Sequence, residues 1–235
     1  MTGEGEKLWA VVPAAGIGSR FGNGTPKQHQ RLAGRSVIEW AILPFLERTD
    51  IVGIVIALAD DDKNWSQADV VDARVILAKG GSERSESVRN SLQAIHERAD
   101  PMDWVLVHDA ARPCLDGGDL QRLIQTLQED PVGGLLATPV HDTLKRDSGN
   151  GRVESTVERR GLWRAMTPQM FRYGILCSAL ERAVSQQLSV TDESMAVELM
   201  GEHPVLIQGR ADNMKITSRE DMLRAESVLA ARAGK

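Results

Sequence analysis

The sequence predicts an α/β protein with a Rossmann-like, mostly parallel sheet that carries helices on both faces. Short apolar runs alternate with segments of helical period along the chain, which is the pattern of βαβ units. A glycine-rich segment follows the first apolar run directly, as it does in α/β proteins that bind anions at the ends of their strands. The length of 235 residues, 42% of them hydrophobic, fits a single domain over residues 1–235.

Several apolar runs are predicted to be strands, because they are short, rich in β-branched residues and bounded by polar or glycine-containing segments. They are Trp9 to Val12, Gly53 to Leu58, Arg74 to Ala78, Trp104 to Val107, Gly133 to Thr138 and Val205 to Gln208. If these strands are parallel, their carboxyl ends meet at one edge of the sheet, where ligands bind in folds of this kind.

The segments between the strands show helical periodicity. Ser36 and Glu39 form a capping box before an apolar stripe, in which Pro44 is expected to kink the helix or to end it early. The segments from Ser85 to Arg98 and from Asp119 to Gln128 are predicted to be sheet-covering helices. A final helix, capped by Ser218 and Asp221, is expected to pack on the sheet through a further set of apolar residues. That set is Met222, Leu223, Ala225, Val228 and Leu229.

A polar segment, residues 141–164, interrupts this alternation. Two strand-like pieces, Thr143 to Arg146 and Val153 to Val157, flank a Ser-Gly-Asn-Gly turn, which indicates a β-hairpin. A hairpin of this length is either a loop without a partner or an arm that contacts another subunit. We favour a dimerisation arm.

Composition excludes several functional classes. The net charge of -5 argues against a broad nucleic-acid surface, which usually requires a basic face. We expect no membrane association, because no apolar run approaches the length of a membrane span, and we expect a cytoplasmic protein, because the N-terminus resembles no signal peptide. Cys114 and Cys177 lie far apart and are expected to serve packing rather than a disulfide or a zinc site.

The segment from Val11 to Gln28, VVPAAGIGSRFGNGTPKQ, is the strongest indication of function. After an apolar strand, residues with little side-chain bulk leave backbone N–H groups open to an anion, and Arg20 and Lys27 add two positive charges. Phe21 stands where a dinucleotide fingerprint requires glycine, and the lysine follows Pro26 rather than completing a Walker A loop. The pattern GxGxR followed by PK fits neither a dehydrogenase nor a P-loop protein, and it resembles the signature loop of nucleotidyltransferases that join a nucleoside triphosphate to a phosphorylated small molecule.

Two further motifs are predicted to lie at the same edge of the sheet. In HDAARP, Asp109 and Arg112 follow a strand beside two alanines, which suits close approach of a ligand, although a structural ion pair is the alternative. In GGSERSESV, a glycine turn leads into a helix, and its serines are either base-reading groups or helix caps.

Two polar residues stand out near the end of the chain. Thr191 is expected to be a helix N-cap, which is compatible with a second role. Lys215 lies between Met214 and Ile216 in a run that resembles a strand, where alternation would direct it towards solvent or into the ligand crevice, and we favour the crevice.

Taken in order, the motifs resemble those of the 2-C-methyl-D-erythritol 4-phosphate cytidylyltransferase family of the non-mevalonate isoprenoid pathway, and the resemblance spans nearly the whole chain. The motifs are VPAAGxGxR with PKQ, GGxERxxSV, VHDAARP, DT with KR, GLWRAMTPQ, TDE and GRADNxKIT. GxGxR with PK alone would also suit sugar-phosphate or molybdopterin nucleotidyltransferases, so the later motifs carry the distinction.

The resemblance implies a homodimer with a protruding β-arm. It implies transfer of a cytidylyl group from CTP to methylerythritol phosphate, with Mg²⁺ held mainly by the CTP phosphates and no dedicated protein metal ligands. Arg20 and Lys27 are then the catalytic residues. The implied nucleotide-binding residues are Pro13, Ala14, Ala15, Gly16, Gly81, Ser82, Ser87 and Asp109. The implied residues for the acceptor are Asp109, Arg112, Thr143, Arg159, Thr167, Thr191 and Lys215, with Arg159 reaching in from the partner's arm.

Two alternatives stay open at this point. Another nucleotidyltransferase would use a different acceptor or base. A nucleotide-binding regulator would keep the fold without turnover, although the presence of both Arg20 and Lys27 argues against it.

Overall fold

The computed structural model describes residues 5–16, 25–65 and 70–234. The strands are β1 (Leu8–Pro13), β2 (Arg31–Leu32), β3 (Arg35–Ser36), β4 (Ile51–Leu58), β5 (Val75–Lys79), β6 (Trp104–Val107), β7 (Gly133–Pro139), β8 (Leu144–Asp147), β9 (Val153–Val157), β10 (Trp163–Arg172) and β11 (Val205–Gln208). The helices are α1 (Val37–Leu46), α2 (Arg84–Ala94), α3 (Gly117–Leu127), α4 (Tyr173–Ser185), α5 (Glu193–Glu198) and α6 (Arg219–Ala233). A single turn of 3-10 helix covers Lys27–His29.

A sheet of seven strands forms the centre of the described structure, in the order β11-β7-β10-β6-β1-β4-β5. β10 runs antiparallel to both of its neighbours, β6 and β7, and the other pairs are parallel. The carboxyl ends of the parallel strands therefore meet at one edge, together with the start of β10. The predicted mostly parallel α/β sheet is confirmed.

Alternate residues of the strands enter two separate cores, one on each face of the sheet. Along β1, Ala10 and Val12 join a cluster with α1 and α3, whereas Trp9 and Val11 join a cluster with α2, α4 and α5. Strands that are buried on both faces consist of continuous apolar runs. The positions of these strands could therefore be predicted from the sequence. Burial of this kind also fixes the register, because a shift by one residue would exchange the two faces.

β10 is the strand of the central sheet that the sequence analysis did not predict. Its buried residues include Thr167, Gln169 and, at its end, Arg172. Each of these side chains contacts specific partners. Gln169, for example, accepts a hydrogen bond from the backbone N–H of Ser194, and the Arg172 guanidinium stacks 3.7 Å from the Trp104 ring centroid. Buried polar residues with partners distant in sequence do not produce an apolar pattern, and α4, which follows β10, was missed with it.

The predicted helices are present with modest differences. The capping box of Ser36 and Glu39 is formed, and α1 continues through Pro44 to end two residues later at Leu46. α6 departs further from expectation. Its buried Ala225 and Leu229 pack with a separate cluster that includes Ile216 rather than on the sheet, and Leu223 is exposed.

The polar segment forms the predicted hairpin. β8 and β9 pair antiparallel in a two-stranded sheet of their own, and nearly all of their residues are exposed. The end of the predicted segment was wrong, because Trp163 and Arg164 already belong to β10. We call residues 143–159, which comprise β8, β9, their turn and the residues at the base of the hairpin, the arm.

The described helices include none that is both long and apolar enough to cross a lipid bilayer.

His108 follows β6 and is completely buried, with its ring 5.6 Å from that of Phe45. Its Nε2 atom lies 3.1 Å from the carbonyl oxygen of Arg112, which can only accept, so Nε2 carries the proton. Nδ1 then accepts from the Thr167 hydroxyl at 3.0 Å. Burial lowers the pKa of His108 from 6.5 to about 4, so the folded protein holds this imidazole neutral.

This burial predicts a loss of stability on mild acidification. The unfolded chain binds a proton at His108 below about pH 6.5, whereas the folded chain does so only near about pH 4. The free energy of unfolding should therefore fall across this window by up to about 3 kcal/mol from this residue. Urea unfolding at a series of pH values would measure the effect.

His108→Gln should flatten that dependence, because the amide keeps a donor for Arg112 but does not titrate. His203→Gln, at an exposed position, is the matched control and should retain the wild-type dependence. An unchanged pH dependence in His108→Gln would contradict the assignment.

Candidate active site

A cavity of about 480 Å³ opens at the carboxyl edge of the sheet, between the segments that follow β1, β4, β5 and β6. Its described lining comprises Pro13, Ala14, Ala15, Gly16, Lys27, Gln28, Ala59, Asp61, Gly81, Ser82, Glu83, Arg84, Ser87, Asp109, Ala110, Ala111 and Lys215. All the residues predicted to bind the nucleotide line this one cavity, together with Lys27 and Lys215. Arg20 falls within 17–24, outside the described residues.

The start of the glycine-rich loop is held by Gln28. The Nε2 atom of Gln28 donates to the carbonyl oxygens of Ala14, at 2.7 Å, and Gly16, at 3.0 Å. The side chain of Gln28 is almost completely buried. The carbonyl groups of Ala14 and Gly16 are thereby satisfied by the protein itself, which fixes the start of the loop as a wall of the cavity.

The second glycine turn is built into the same wall. A Cβ atom at Gly80 would lie 2.1 Å from the Cβ atom of Ala15, so only glycine allows the two loops to touch. The Ser87 hydroxyl accepts from the N–H of Gly81 at 3.0 Å and donates to the carbonyl of Glu83 at 3.1 Å. None of the serines in this segment caps α2, whose N-cap residue is Glu83. The helix-cap alternative is therefore wrong.

Asp109 lies at the carboxyl end of β6 and is the charged centre of the site. Its Oδ1 atom accepts from Arg84 Nε at 2.8 Å. Its Oδ2 atom lies 3.0 Å from Lys215 Nζ and 3.3 Å from Arg112 Nε. The side chain of Asp109 is only 8% exposed. The predicted pair of Asp109 and Arg112 is thus part of a larger network.

This network fixes the protonation state of the carboxylate. Burial would raise the pKa of Asp109, but the charges of Arg84, Lys215 and Arg112 outweigh burial and hold the pKa well below its usual range. For Arg112, burial disfavours the charged guanidinium and lowers its pKa, although the charge of Asp109 acts in the opposite direction. Asp109 is therefore an anion at any physiological pH, and it gathers positive charge at the cavity.

Sequence analysis missed Arg84 and Glu193 as individual residues. Arg84 contacts both Asp109 and Glu193, and the Glu193 side chain is 1% exposed. Both residues belong to motifs described above, GGSERSESV and TDE. The contact between them joins positions 109 residues apart, so neither motif indicates the other as its partner. One local signal was available: a cation in the first turn of a helix is unfavourable next to the helix dipole, so Arg84 requires carboxylate partners from elsewhere.

Lys215 enters the cavity as predicted, but for a different reason. Residues 213–217 form no strand. Instead, Ile216 is fully buried, donates its backbone N–H to the carbonyl of Ala111 at 2.8 Å and accepts from Lys27 Nζ at 2.9 Å. These contacts fix the segment, so that Lys215 and Lys27 approach the cavity from the same side.

The remaining residues predicted for the acceptor are distributed unequally. Thr167 is buried and accepts the backbone N–H of Asp109 at 3.0 Å. Thr191 is exposed and does not cap α5, because Asp192 is the N-cap and accepts from the N–H of Met195. Thr143 and Arg159 lie on the arm and line a separate shallow cavity of about 300 Å³. The described chain therefore does not bring those two residues to the main cavity by itself.

The chemistry of the main cavity suits a polyanion. The two glycine turns line the cavity together with Lys27, Arg84 and Lys215, and cations of this kind stabilise phosphates. The described lining contains no histidine and no cysteine, and no group of three or more potential metal-ligating side chains occurs in the described chain. The arrangement favours binding and orientation of charged substrates.

Comparison with known proteins identifies the family of this chain. The model of the family IspD, 2-C-methyl-D-erythritol 4-phosphate cytidylyltransferase, matches residues 8–231. A curated protein of that name from Pseudomonas aeruginosa is 52% identical over 221 residues, which cover 93% of this chain and 94% of that protein. The fold matches a crystal structure of 4-diphosphocytidyl-2C-methyl-D-erythritol synthase with a TM-score of 0.84 and 37% identity, over 97% of this chain and 100% of the other.

A second solved structure, the 2-C-methyl-D-erythritol 4-phosphate cytidylyltransferase of Francisella tularensis, matches with a TM-score of 0.82 and 31% identity over 95% of this chain and 100% of the other. The family match spans nearly the whole described chain, including every residue that lines the main cavity. This chain belongs to the 2-C-methyl-D-erythritol 4-phosphate cytidylyltransferase family.

Proposed function

We propose that the main cavity binds CTP and that the protein transfers its cytidylyl group to 2-C-methyl-D-erythritol 4-phosphate, releasing pyrophosphate. Membership of the family makes the protein a nucleotidyltransferase of the non-mevalonate isoprenoid pathway. The observation that carries the proposal for the site is that one cavity joins both glycine turns, Lys27, Asp109 and Lys215.

The two substrates would occupy different parts of this cavity. The nucleoside would lie against the turn of Pro13 to Gly16 and the turn of Gly81, Ser82 and Ser87, in which the Ser87 hydroxyl accepts from the N–H of Gly81. Asp109, which we propose for both substrates, lines the same cavity. The acceptor would lie beside Asp109, where Arg112 and Lys215 supply positive charge. The proposed acceptor residues are Asp109, Arg112, Thr143, Arg159, Thr167, Thr191 and Lys215. Thr167, which is buried, contributes through the backbone of Asp109.

The reaction needs no general base. The second pKa of a phosphate monoester is near about 6, so the acceptor phosphate is largely dianionic at neutral pH and already nucleophilic. One of its oxygens forms the bond to the α-phosphorus of CTP, and the bond from that phosphorus to the oxygen bridging to the β-phosphate breaks. Lys27, and Arg20 by resemblance, stabilise the added charge around the α-phosphate and the leaving pyrophosphate.

We propose Mg²⁺ as the cofactor, held mainly by the phosphates of CTP. The donor set around the cavity fits this mode, because the carboxylate of Asp109 already contacts Arg84, Arg112 and Lys215. Mg²⁺ keeps several waters and is usually bound through substrate phosphates rather than an all-protein cage. When bound, it supplies neutralisation of phosphate charge.

We also propose a cytoplasmic homodimer in which the arm completes the partner's site. A ribbon of two exposed strands is marginally stable by itself, which supports a contact with another subunit. Exposed Val153 and Leu162 give this region apolar surface for such a contact. Thr143 and Arg159, which lie together on the arm, would then reach the partner's acceptor.

The direct test of the function is a pyrophosphate-release assay. CTP with methylerythritol phosphate should give rapid release, whereas ATP, GTP and UTP should be poor substrates. Release with a sugar phosphate in place of methylerythritol phosphate would favour another nucleotidyltransferase. No release with any nucleotide would favour a regulator.

Lys27→Ala should lower kcat by about a hundredfold or more, because a charge contact made in the transition state is worth about 3 kcal/mol. We expect Arg20→Ala to act similarly. Lys63→Ala, at an exposed lysine outside the cavity lining, is the matched control and should be neutral. Steady-state kinetics with circular dichroism would measure both effects, and near-normal turnover in Lys27→Ala would overturn its catalytic role.

Arg159→Ala should chiefly raise KM for methylerythritol phosphate, while Arg160→Ala at the next position should have little effect. Mixing Arg159→Ala with Lys27→Ala tests the shared site, because one site of the mixed dimer contains both native residues. After subunit exchange, activity at a methylerythritol phosphate concentration far below the KM of Arg159→Ala should return to about a quarter of the wild-type value, from half of the dimers with one intact site each. Exchange without recovery would show that Arg159 acts within its own subunit or not at all.

A further inference from the structure

We infer that Arg84 and Glu193 form a brace that positions Asp109 for the acceptor, so that Arg84 is a positioning residue for methylerythritol phosphate. This inference rests on the proposed function and assigns the brace to the acceptor half of the site. Neither Arg84 nor Glu193 is among the catalytic, nucleotide-binding or acceptor residues proposed above.

The contacts of Arg84 are unusually complete. Its Nη1 and Nη2 atoms donate to the two carboxylate oxygens of Glu193 at 2.5 and 2.9 Å, and its Nε atom donates to Asp109 Oδ1 at 2.8 Å. A fork of this kind fixes the orientation of both carboxylates, which a lysine cannot do. The burial of both partners makes the contacts stronger than surface ion pairs.

The geometry at Asp109 shows what the brace controls. Arg84 holds Oδ1, whereas Arg112 and Lys215 both contact Oδ2. One oxygen of the carboxylate is therefore fixed by Arg84, and the other faces the residues proposed for the acceptor. Loss of the Arg84 contact would free the carboxylate to rotate and would displace both cations at Oδ2.

Glu193 extends the same control to Thr191. It is the first residue of α5, two positions after Thr191. The start of α5 is anchored on its other side by Gln169, which accepts from the N–H of Ser194 at 2.8 Å and donates to Asp192 at 3.0 Å. With Arg84 on one side and Gln169 on the other, the turn that carries Thr191 is fixed relative to Asp109.

The nucleotide side of the cavity has its own supports. The turn before α2 is held by the bonds of Ser87 to Gly81 and Glu83, and by the bond from the N–H of Gly80 to the carbonyl of Leu58 at 2.6 Å. None of these contacts involves the Arg84 side chain. The turn against which the nucleoside would lie therefore does not depend on the brace, and CTP would be affected only through Asp109. Weakening the brace should thus affect the acceptor more than CTP.

The test compares Arg84→Lys, which keeps the charge but cannot form the fork, with Glu193→Gln, which keeps the shape but removes the partner's charge. Each should raise KM for methylerythritol phosphate by about tenfold, with KM for CTP changed by less than about threefold. Because both substitutions break the same contact, their effects should not add. The double variant should therefore have a KM for methylerythritol phosphate no higher than about that of the more impaired single variant. Arg89→Lys, on the same helix, is the matched control and should resemble wild type.

A purely structural role makes a different prediction. It would lower the melting temperature while leaving both KM values of the folded enzyme unchanged, and that result would overturn the inference. Equal increases in KM for both substrates would overturn it as well. If Arg84→Lys does not fold, Glu193→Gln alone decides the question by the same comparison. The wild-type protein in the same assay distinguishes the proposed function from the proposed brace. Absence of wild-type turnover would refute the function, whereas the brace is tested by the variants.

Discussion

The buried carboxylate of Asp109 is the interaction on which the geometry of the active site depends. Three cations from separate segments contact it: Arg84 at the start of α2, Arg112 after β6 and Lys215 before α6. Cations gathered so closely would repel one another without an anion between them. Together with Glu193, Asp109 offsets this repulsion but leaves cations in excess, which suits a site for two phosphorylated substrates.

The sheet explains how these segments come together. Parallel strands end at one edge, so the turns after β1, β5 and β6 meet although they are distant in sequence. The antiparallel β10 inserts beside β6, where the hydroxyl of Thr167 accepts the N–H of Asp109. On the other side, the buried Ile216 bonds to Ala111 and Lys27, which positions Lys215. The fold thus positions both the charge and the backbone of Asp109.

The parts of this arrangement that follow local rules were predictable from sequence. The doubly buried strand β6 has a continuous apolar run, and its predicted bounds agree with the structure. The parts that depend on distant partners were not predictable. β10 was missed because its buried polar residues are satisfied by other elements, and Arg84 was missed because its carboxylate partners lie far along the chain.

Lys215 shows how a correct prediction can rest on a wrong reason. Strand alternation was expected to direct it into the crevice, but the segment is irregular, and the burial of Ile216 beside it sets its direction. A charged residue next to a fully buried apolar one points away from the core in a strand and in an irregular segment alike. The sequence pattern therefore predicted the direction of the side chain but not the backbone conformation. The expected packing of α6 failed for a related reason, because the helix covers Ile216 and its neighbours rather than the sheet.

The two halves of the site are built on different physical principles. The nucleotide half consists of backbone turns stabilised by nearby contacts, such as Gln28 on Ala14 and Gly16 and Ser87 on Gly81. The acceptor half consists of long side chains held in a network of charges, in which each member depends on the others. A network of buried charges is sensitive to the loss of any partner, because the remaining charges are left uncompensated. In the proposed site, selection of the acceptor would therefore depend on a network of side-chain charges, and selection of the nucleotide would depend on the shape of the backbone turns.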